Sequence, residues 1–169
     1  MIKLNLLEPS RENFAPFGDL ITLDGAEHFP INQGSTERFH ALSKVDVGDE
    51  GGKPIISLFR GKAFHLPFKL RVMERHPLGS QSFIPVTKSL TNQYLVIVAP
   101  ATCQTEEEIT QNLHAFLVKG FKGVTYAKGV WHHPLISLDE EQDFIVVDRS
   151  GPGNNCDEIS ITQEITVAN

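Results

Sequence analysis

The stretch Leu70-Arg71-Val72-Met73-Glu74-Arg75-His76-Pro77-Leu78-Gly79-Ser80-Gln81-Ser82-Phe83-Ile84-Pro85-Val86 decides the fold. It reads as two short strands, Leu70 to Glu74 and Ser82 to Val86, flanking a turn at Pro77-Leu78-Gly79-Ser80. Proline pre-sets φ for such a turn and glycine tolerates the conformations that close it. Working outward, the same punctuation recurs: short apolar runs bounded by Gly, Pro, Asn and Asp, with helix-period patterns of a dozen residues nearly absent. Ile55 to Phe59, Tyr94 to Val98, Ala115 to Val118, Gly123 to Tyr126, Pro134 to Leu138 and Phe144 to Asp148 complete a set of eight strand candidates. That many short strands at this spacing make a mainly β fold, a sandwich or barrel. Two brief helices are expected, one capped by Ser10 and running through Phe14, one capped by Thr105 with Glu106-Glu107-Glu108 at its positive end.

No internal repeat or linker divides the chain, so residues 1–169 are expected to form a single domain, a length sufficient for a substantial core. Val47 to Pro54 and Ser150 to Asn155 read as exposed loops. The formal net charge of -6 and the lack of Lys/Arg clusters argue against nucleic acid as a partner. The apolar runs are too short to span a bilayer, and Met1 to Pro9 does not have the form of a signal segment, so no membrane is expected. Two cysteines, Cys103 and Cys156, form no disulfide framework, which fits a reducing cytoplasm.

Polar packets sit beside the apolar strands: Arg38-Phe39-His40, Glu74-Arg75-His76-Pro77, Trp131-His132-His133-Pro134 and Asp148-Arg149. One packet alone is an ordinary strand end emerging into solvent; together they suggest a site. Alternation places Glu74 and His76 on one face with Arg75 pointing away, and forbids His132 and His133 from entering the same cavity. The turn at Pro77 to Ser80 returns Gln81 beside His76, giving one pocket wall a carboxylate, an imidazole and an amide.

Glu74-x-His76-x-x-x-x-Gln81 and Ala127-Lys128-Gly129-Val130-Trp131-His132 resemble the two signature motifs of the cupin superfamily, with Ala127 where proline usually stands. The resemblance implies a cupin-like antiparallel β-barrel or double sheet with a few short helices. It also implies a metal set of Glu74, His76, Gln81 and His132. One neutral amide in that set makes it a poorer donor group than the usual histidine-rich one. At family level, Glu74-Arg75-His76-Pro77-Leu78-Gly79-Ser80-Gln81-x-Phe83-Ile84-Pro85 and Gly123-Val124-x-Tyr126-x-x-Gly129-Val130-Trp131-His132-His133-Pro134-Leu135 resemble the ureidoglycolate lyases of allantoin breakdown. The likeness extends to Asn32-x-Gly34-x-x-x-Arg38-Phe39-His40 and to Asp143-Phe144-x-Val146-Val147-Asp148-Arg149-x-Gly151 with Asn155-Cys156. It implies a lyase that splits ureidoglycolate into glyoxylate and urea, with nickel or another divalent ion as the cofactor if one is bound.

Such an elimination needs a base for the hydroxyl proton and an acid for the leaving urea, and the substrate carboxylate calls for a cation, best an arginine. His76 and His132 are the acid-base candidates, supported by Glu74, with their two roles unassigned. Arg38, Arg75 and Arg149, together with Gln81 and His40, are the substrate-binding candidates. Each has a structural reading beside it: Arg75 as a structural or interface residue, Arg149 as a solvated strand end, His40 as a core or interface histidine. A homodimer is expected, with the apolar start of the chain as one edge available for pairing. Three rivals stand beside it: an amidohydrolase releasing ammonia, a non-catalytic cupin-type domain that binds a small carboxylate, and a metal-dependent dioxygenase or sugar isomerase, which the incomplete histidine set disfavours.

Overall fold

All the expected strands form in the computed structural model, which describes residues 2–168. In chain order the elements are β1 (Ile2–Leu7), α1 (Arg11–Phe14), β2 (Gly18–Ile21), β3 (His28–Ile31), a 3-10 turn (Asn32–Gly34), β4 (Thr36–Phe39), β5 (Lys53–Gly61), β6 (Ala63–Phe64) and β7 (Phe68–Arg75). They continue with β8 (Gln81–Pro85), β9 (Gln93–Ala99), α2 (Glu106–Gln111), β10 (His114–Lys119), β11 (Gly123–Tyr126), β12 (Trp131–His132), β13 (Ile136–Leu138), β14 (Gln142–Ser150) and β15 (Asp157–Ala168). The run from Pro134 becomes strand only at Ile136, and the expected loop ends at Gly52 because Lys53 and Pro54 already pair with β14. Strands β1, β2, β3, β4, β6, β12 and β15 escape the sequence reading, since they are short or polar on one face and their pairing partners are distant in sequence.

Both helices start where their caps sit. Ser10 Oγ accepts from the Asn13 amide at 3.1 Å while Asn13 Oδ1 accepts from the Ser10 amide at 2.7 Å, a reciprocal box. Thr105 Oγ1 accepts from the Glu108 amide at 3.2 Å, and three glutamates fill the first turn.

The pairing order β10-β1-β15-β7-β12-β9, closed by β9 against β10, makes a six-stranded barrel, extended from β9 by β13 and β6. A second sheet, β2-β11-β8-β14-β5, packs on the barrel wall. Strand β9 explains why the sequence there is continuously apolar: Leu95, Ile97 and Ala99 enter the barrel core, while Tyr94, Val96 and Val98 enter the core between barrel and sheet. Each fully buried aliphatic chain of this kind contributes roughly 1.5–3 kcal/mol.

Strand β1 is not an edge. It runs parallel between β10 and β15, with Leu4 and Leu6 against the core, so the expected pairing through the chain start is overturned. The open edge of the second sheet is β5 instead. From Leu23 to Pro67 no residue is buried, although this segment contains Ile56 at 76% and Leu58 at 58% exposure. Within it, β3 and β4 pair only with each other, forming an arm that shares no strand pairing with either sheet.

Candidate active site

Strand alternation sends Met73 and Trp131 into the barrel core and turns Glu74 and His132 to the opposite wall, where the two residues are direct cross-strand partners. The Ala127-Lys128-Gly129 turn leads β12 into place: Gly129 has φ +80° and its amide donates to the His76 carbonyl at 2.9 Å, tying the two motif segments together. On the other side, the Pro77 to Ser80 turn brings Gln81 back so that its Oε1 lies 3.2 Å from His76 Nε2.

Glu74 Oε1 is 3.4 Å from His132 Nε2 and 4.0 Å from His76 Nε2, so one carboxylate faces two imidazoles. His132 is 1% exposed, stacked on Tyr126 with ring centroids 4.1 Å apart and planes 11° apart. Its Nδ1–H donates to the Val130 carbonyl at 3.0 Å, which leaves Nε2 as the lone-pair nitrogen facing Glu74. That Nε2 has no hydrogen-bond partner among the described residues. His76 Nδ1 donates to the Asn155 carbonyl at 2.7 Å, and Asn155 Oδ1 accepts from the Leu78 amide at 2.8 Å. Gln81 hands the chain on, donating from its amide nitrogen to Asp148 Oδ2 at 3.3 Å.

Burial lowers the His132 pKa against the pull of Glu74, and the neighbouring His76 lowers it further, so the ring is neutral. Burial also raises Glu74, but the surrounding imidazoles outweigh it and hold the carboxyl below its ordinary value. The two groups are a coupled pair, His132 Nε2 facing Glu74 Oε1 at 3.4 Å. Where both act as acceptors, the contact is unfavourable until a proton donor or a cation bridges the gap.

The metal set expected from the motifs comes together in part. Glu74, His76 and His132 have ligand atoms within 4.8 Å of one another, two imidazole nitrogens and a carboxylate oxygen suited to a divalent transition ion. Gln81 adjoins His76 but is engaged with it and with Asp148.

The arginines go elsewhere. Arg75 turns away as alternation requires: its Nε donates to Asp157 Oδ2 at 2.9 Å and its guanidinium lies 4.7 Å from the Trp131 ring. Arg149 is not a solvated strand end but buried, donating to the Val47 carbonyl at 2.9 Å and the Glu50 carbonyl at 3.3 Å, which straps the loop down. Gly79 is required beneath it, since a Cβ there would lie 2.9 Å from both Arg149 Cβ and the Asp46 carbonyl. Arg38 and His40 belong to the arm. Arg38 is exposed over Phe29 at 5.9 Å, and His40 has a buried Nδ1 without a partner among the described residues. His133 faces away from His132, with its ring edge-on to Phe68.

Asp148, read from sequence only as part of a polar packet, and Tyr126 and Asn155, read only within the family motifs, complete the site. Asp148 was legible as an acid on the inward phase of β14, after Phe144 and Val146; the stacking of Tyr126 and the Asn155 carbonyl depend on the tertiary approach alone.

A β-barrel packed on a second sheet, with an imidazole-carboxylate cluster where strands of the two meet, defines a cupin-like enzyme built for proton transfer or metal-assisted chemistry at a small polar substrate. The ureidoglycolate lyase family model matches residues 1–168. A ureidoglycolate lyase of Burkholderia cepacia is 53% identical over 152 residues, covering 90% of this chain and 82% of its own. One from Pseudomonas putida is 49% identical over 160 residues, covering 94% and 92% respectively. The chain belongs to the ureidoglycolate lyase family.

Proposed function

We propose that this protein splits ureidoglycolate into glyoxylate and urea in allantoin and purine breakdown, acting as a single-domain cytoplasmic homodimer. The observation that carries the reading is the unpartnered Nε2 of His132, buried, neutral and aimed at Glu74 beside His76. A substrate hydroxyl placed there supplies the missing donor, and His132 Nε2 is the base that takes its proton. The oxyanion collapses to the aldehyde carbonyl, the carbon–nitrogen bond breaks, and the electron pair leaves on the urea nitrogen, which takes up a proton.

His76 is suited to deliver that proton. Its Nδ1 donates to the Asn155 carbonyl, and its Nε2 lies 3.2 Å from Gln81 Oε1 and 4.0 Å from Glu74 Oε1, on the substrate side of the cluster. Glu74, ionised, stabilises the positive charge that passes between the rings, and Asp148 holds Gln81 in register. Residue pairs of this kind accelerate a reaction by typically ~10²–10⁴-fold.

The family resemblance points to nickel or a similar ion, and Glu74, His76 and His132 are the residues that would hold it. A bound ion would polarise the substrate's hydroxyl or carboxylate oxygens. The free Cys103 and Cys156 are in keeping with a reducing compartment, and no helix among the described residues is long and apolar enough to cross a membrane. The unburied span from Leu23 to Pro67 supports the dimer.

The test is to incubate the protein with ureidoglycolate, before and after chelation, and measure glyoxylate, urea and ammonia together. Equal glyoxylate and urea without ammonia is expected. Glyoxylate with ammonia in place of urea would establish the amidohydrolase, and absence of product with retained carboxylate binding the non-catalytic module.

A further inference from the structure

Ureidoglycolate is an anion, yet the charged side chains around the cluster are acids: Glu74, its cross-strand partner Glu158, and Asp148. Arg75 is committed to Asp157 and Trp131, and Arg149 to two loop carbonyls. Lys128, past the Ala127 turn, lines a cavity of about 150 Å³ with Pro77, Leu78 and Arg149. Arg38 stands exposed on the β3–β4 arm, over the Phe29 ring and with no carboxylate partner among the described residues.

That arm is itself unexplained by one chain. A two-stranded hairpin is marginal in water unless something packs on it. The edge strand β5 has the complementary need, with nine residues of open backbone and Ile55, Ile56, Leu58 and Phe59 all more than a third exposed. Residues on both faces of β5 are exposed, and its Ile55 is the cross-strand partner of Asp148, so this edge adjoins the site. Arm and edge lie in the same unburied span, which offers more than the 20–30 residues a side of a standard interface. A two-fold pairing of this span with itself covers arm and edge at once.

Resting on the lyase reading above, we propose that the site is completed in trans: the arm of a second copy of this chain lies along the open β5 side and brings the partner's Arg38 to the substrate carboxylate.

Mixed dimers test this. Arg38→Ala, an exposed change, is expected to raise KM about 10–100-fold by removing a charge-assisted contact, and Glu74→Gln to abolish turnover. Subunits of the two variants, exchanged together, form mixed dimers with one site carrying both defects and one carrying neither. Activity is expected to recover to about a quarter of wild type. No recovery above the separate variants, or wild-type kinetics for Arg38→Ala with the loss appearing in Lys128→Ala, would overturn the proposal. Should wild type release no glyoxylate, the lyase reading fails separately. Hydrogen exchange then decides the docking: backbone amides of 28–39 protected in a sedimenting dimer support it, and their free exchange at every concentration, or a monomer, overturns it.

Discussion

Replacing His132 with asparagine separates catalysis from folding. The asparagine amide occupies the position of imidazole Nδ1 and keeps a donor for the Val130 carbonyl, now 3.0 Å away, while Nε2 is deleted. Lost stacking on Tyr126, at 4.1 Å, costs about 0.5–1.5 kcal/mol. The smaller side chain adds a void in a site that is 1% exposed, of the order of ~1 kcal/mol. Against this, removing a buried nitrogen without a partner relieves about 1–3 kcal/mol. The net change in stability is therefore within about 2 kcal/mol of zero, or a Tm shift of no more than ~8 °C for a chain this size. Turnover should fall ~10²–10⁴-fold, about 3–5 kcal/mol on the barrier. Steady-state release of glyoxylate and urea, with thermal unfolding of the same samples, reads both quantities. A kcat within ~10-fold of wild type, or a variant unfolded at the assay temperature, would refute the reasoning.

Acid should harm both activity and stability. His132 has its pKa lowered on folding, so the unfolded chain takes up that proton first and stability drains away as pH falls from the ordinary imidazole value of about 6.5. Glu74 is held below its ordinary value, so its contribution is full above the unfolded carboxylate range and is lost as pH falls through the lowered value; urea midpoints measured from pH 7 to 4 should decline throughout. Nickel added to chelated wild type at about 100 times Kd should stabilise it by ~2.7 kcal/mol, a calorimetric Tm rise of several degrees that Glu74→Gln abolishes. Arg149→Met strands the Val47 and Glu50 carbonyls, which should cost about 2–3 kcal/mol in denaturant unfolding and speed proteolysis within 46–52.

The site was legible wherever local periodicity governs it. Glu74 and His76 on one phase, Gln81 returned by a four-residue turn, and His132 opposed to His133 all follow from the two-residue repeat of a strand. The arginines were legible only as a set. Arg38, Arg75 and Arg149 each follow an apolar strand or precede a turn, and nothing local tells a guanidinium that will meet Asp157 from one that will strap a loop or stand in solvent. Strand β1 shows the same limit, since its mixed apolar and polar residues fit an edge as well as the parallel slot between β10 and β15 that it fills.

What the sequence alone determined is the β architecture, the two capped helices and the identity of the imidazole-carboxylate cluster, because turn chemistry, capping and alternation act over a few residues. The tertiary structure alone decided that β9 separates two cores and that His132 stays neutral against Tyr126 with an unpaired nitrogen. It also decided that Arg75 is committed to Asp157 and Arg149 to two loop carbonyls. Those outcomes depend on burial and on groups far apart in sequence arriving at one place, and burial sets the charge, the orientation and the unmet hydrogen bond on which the chemistry turns.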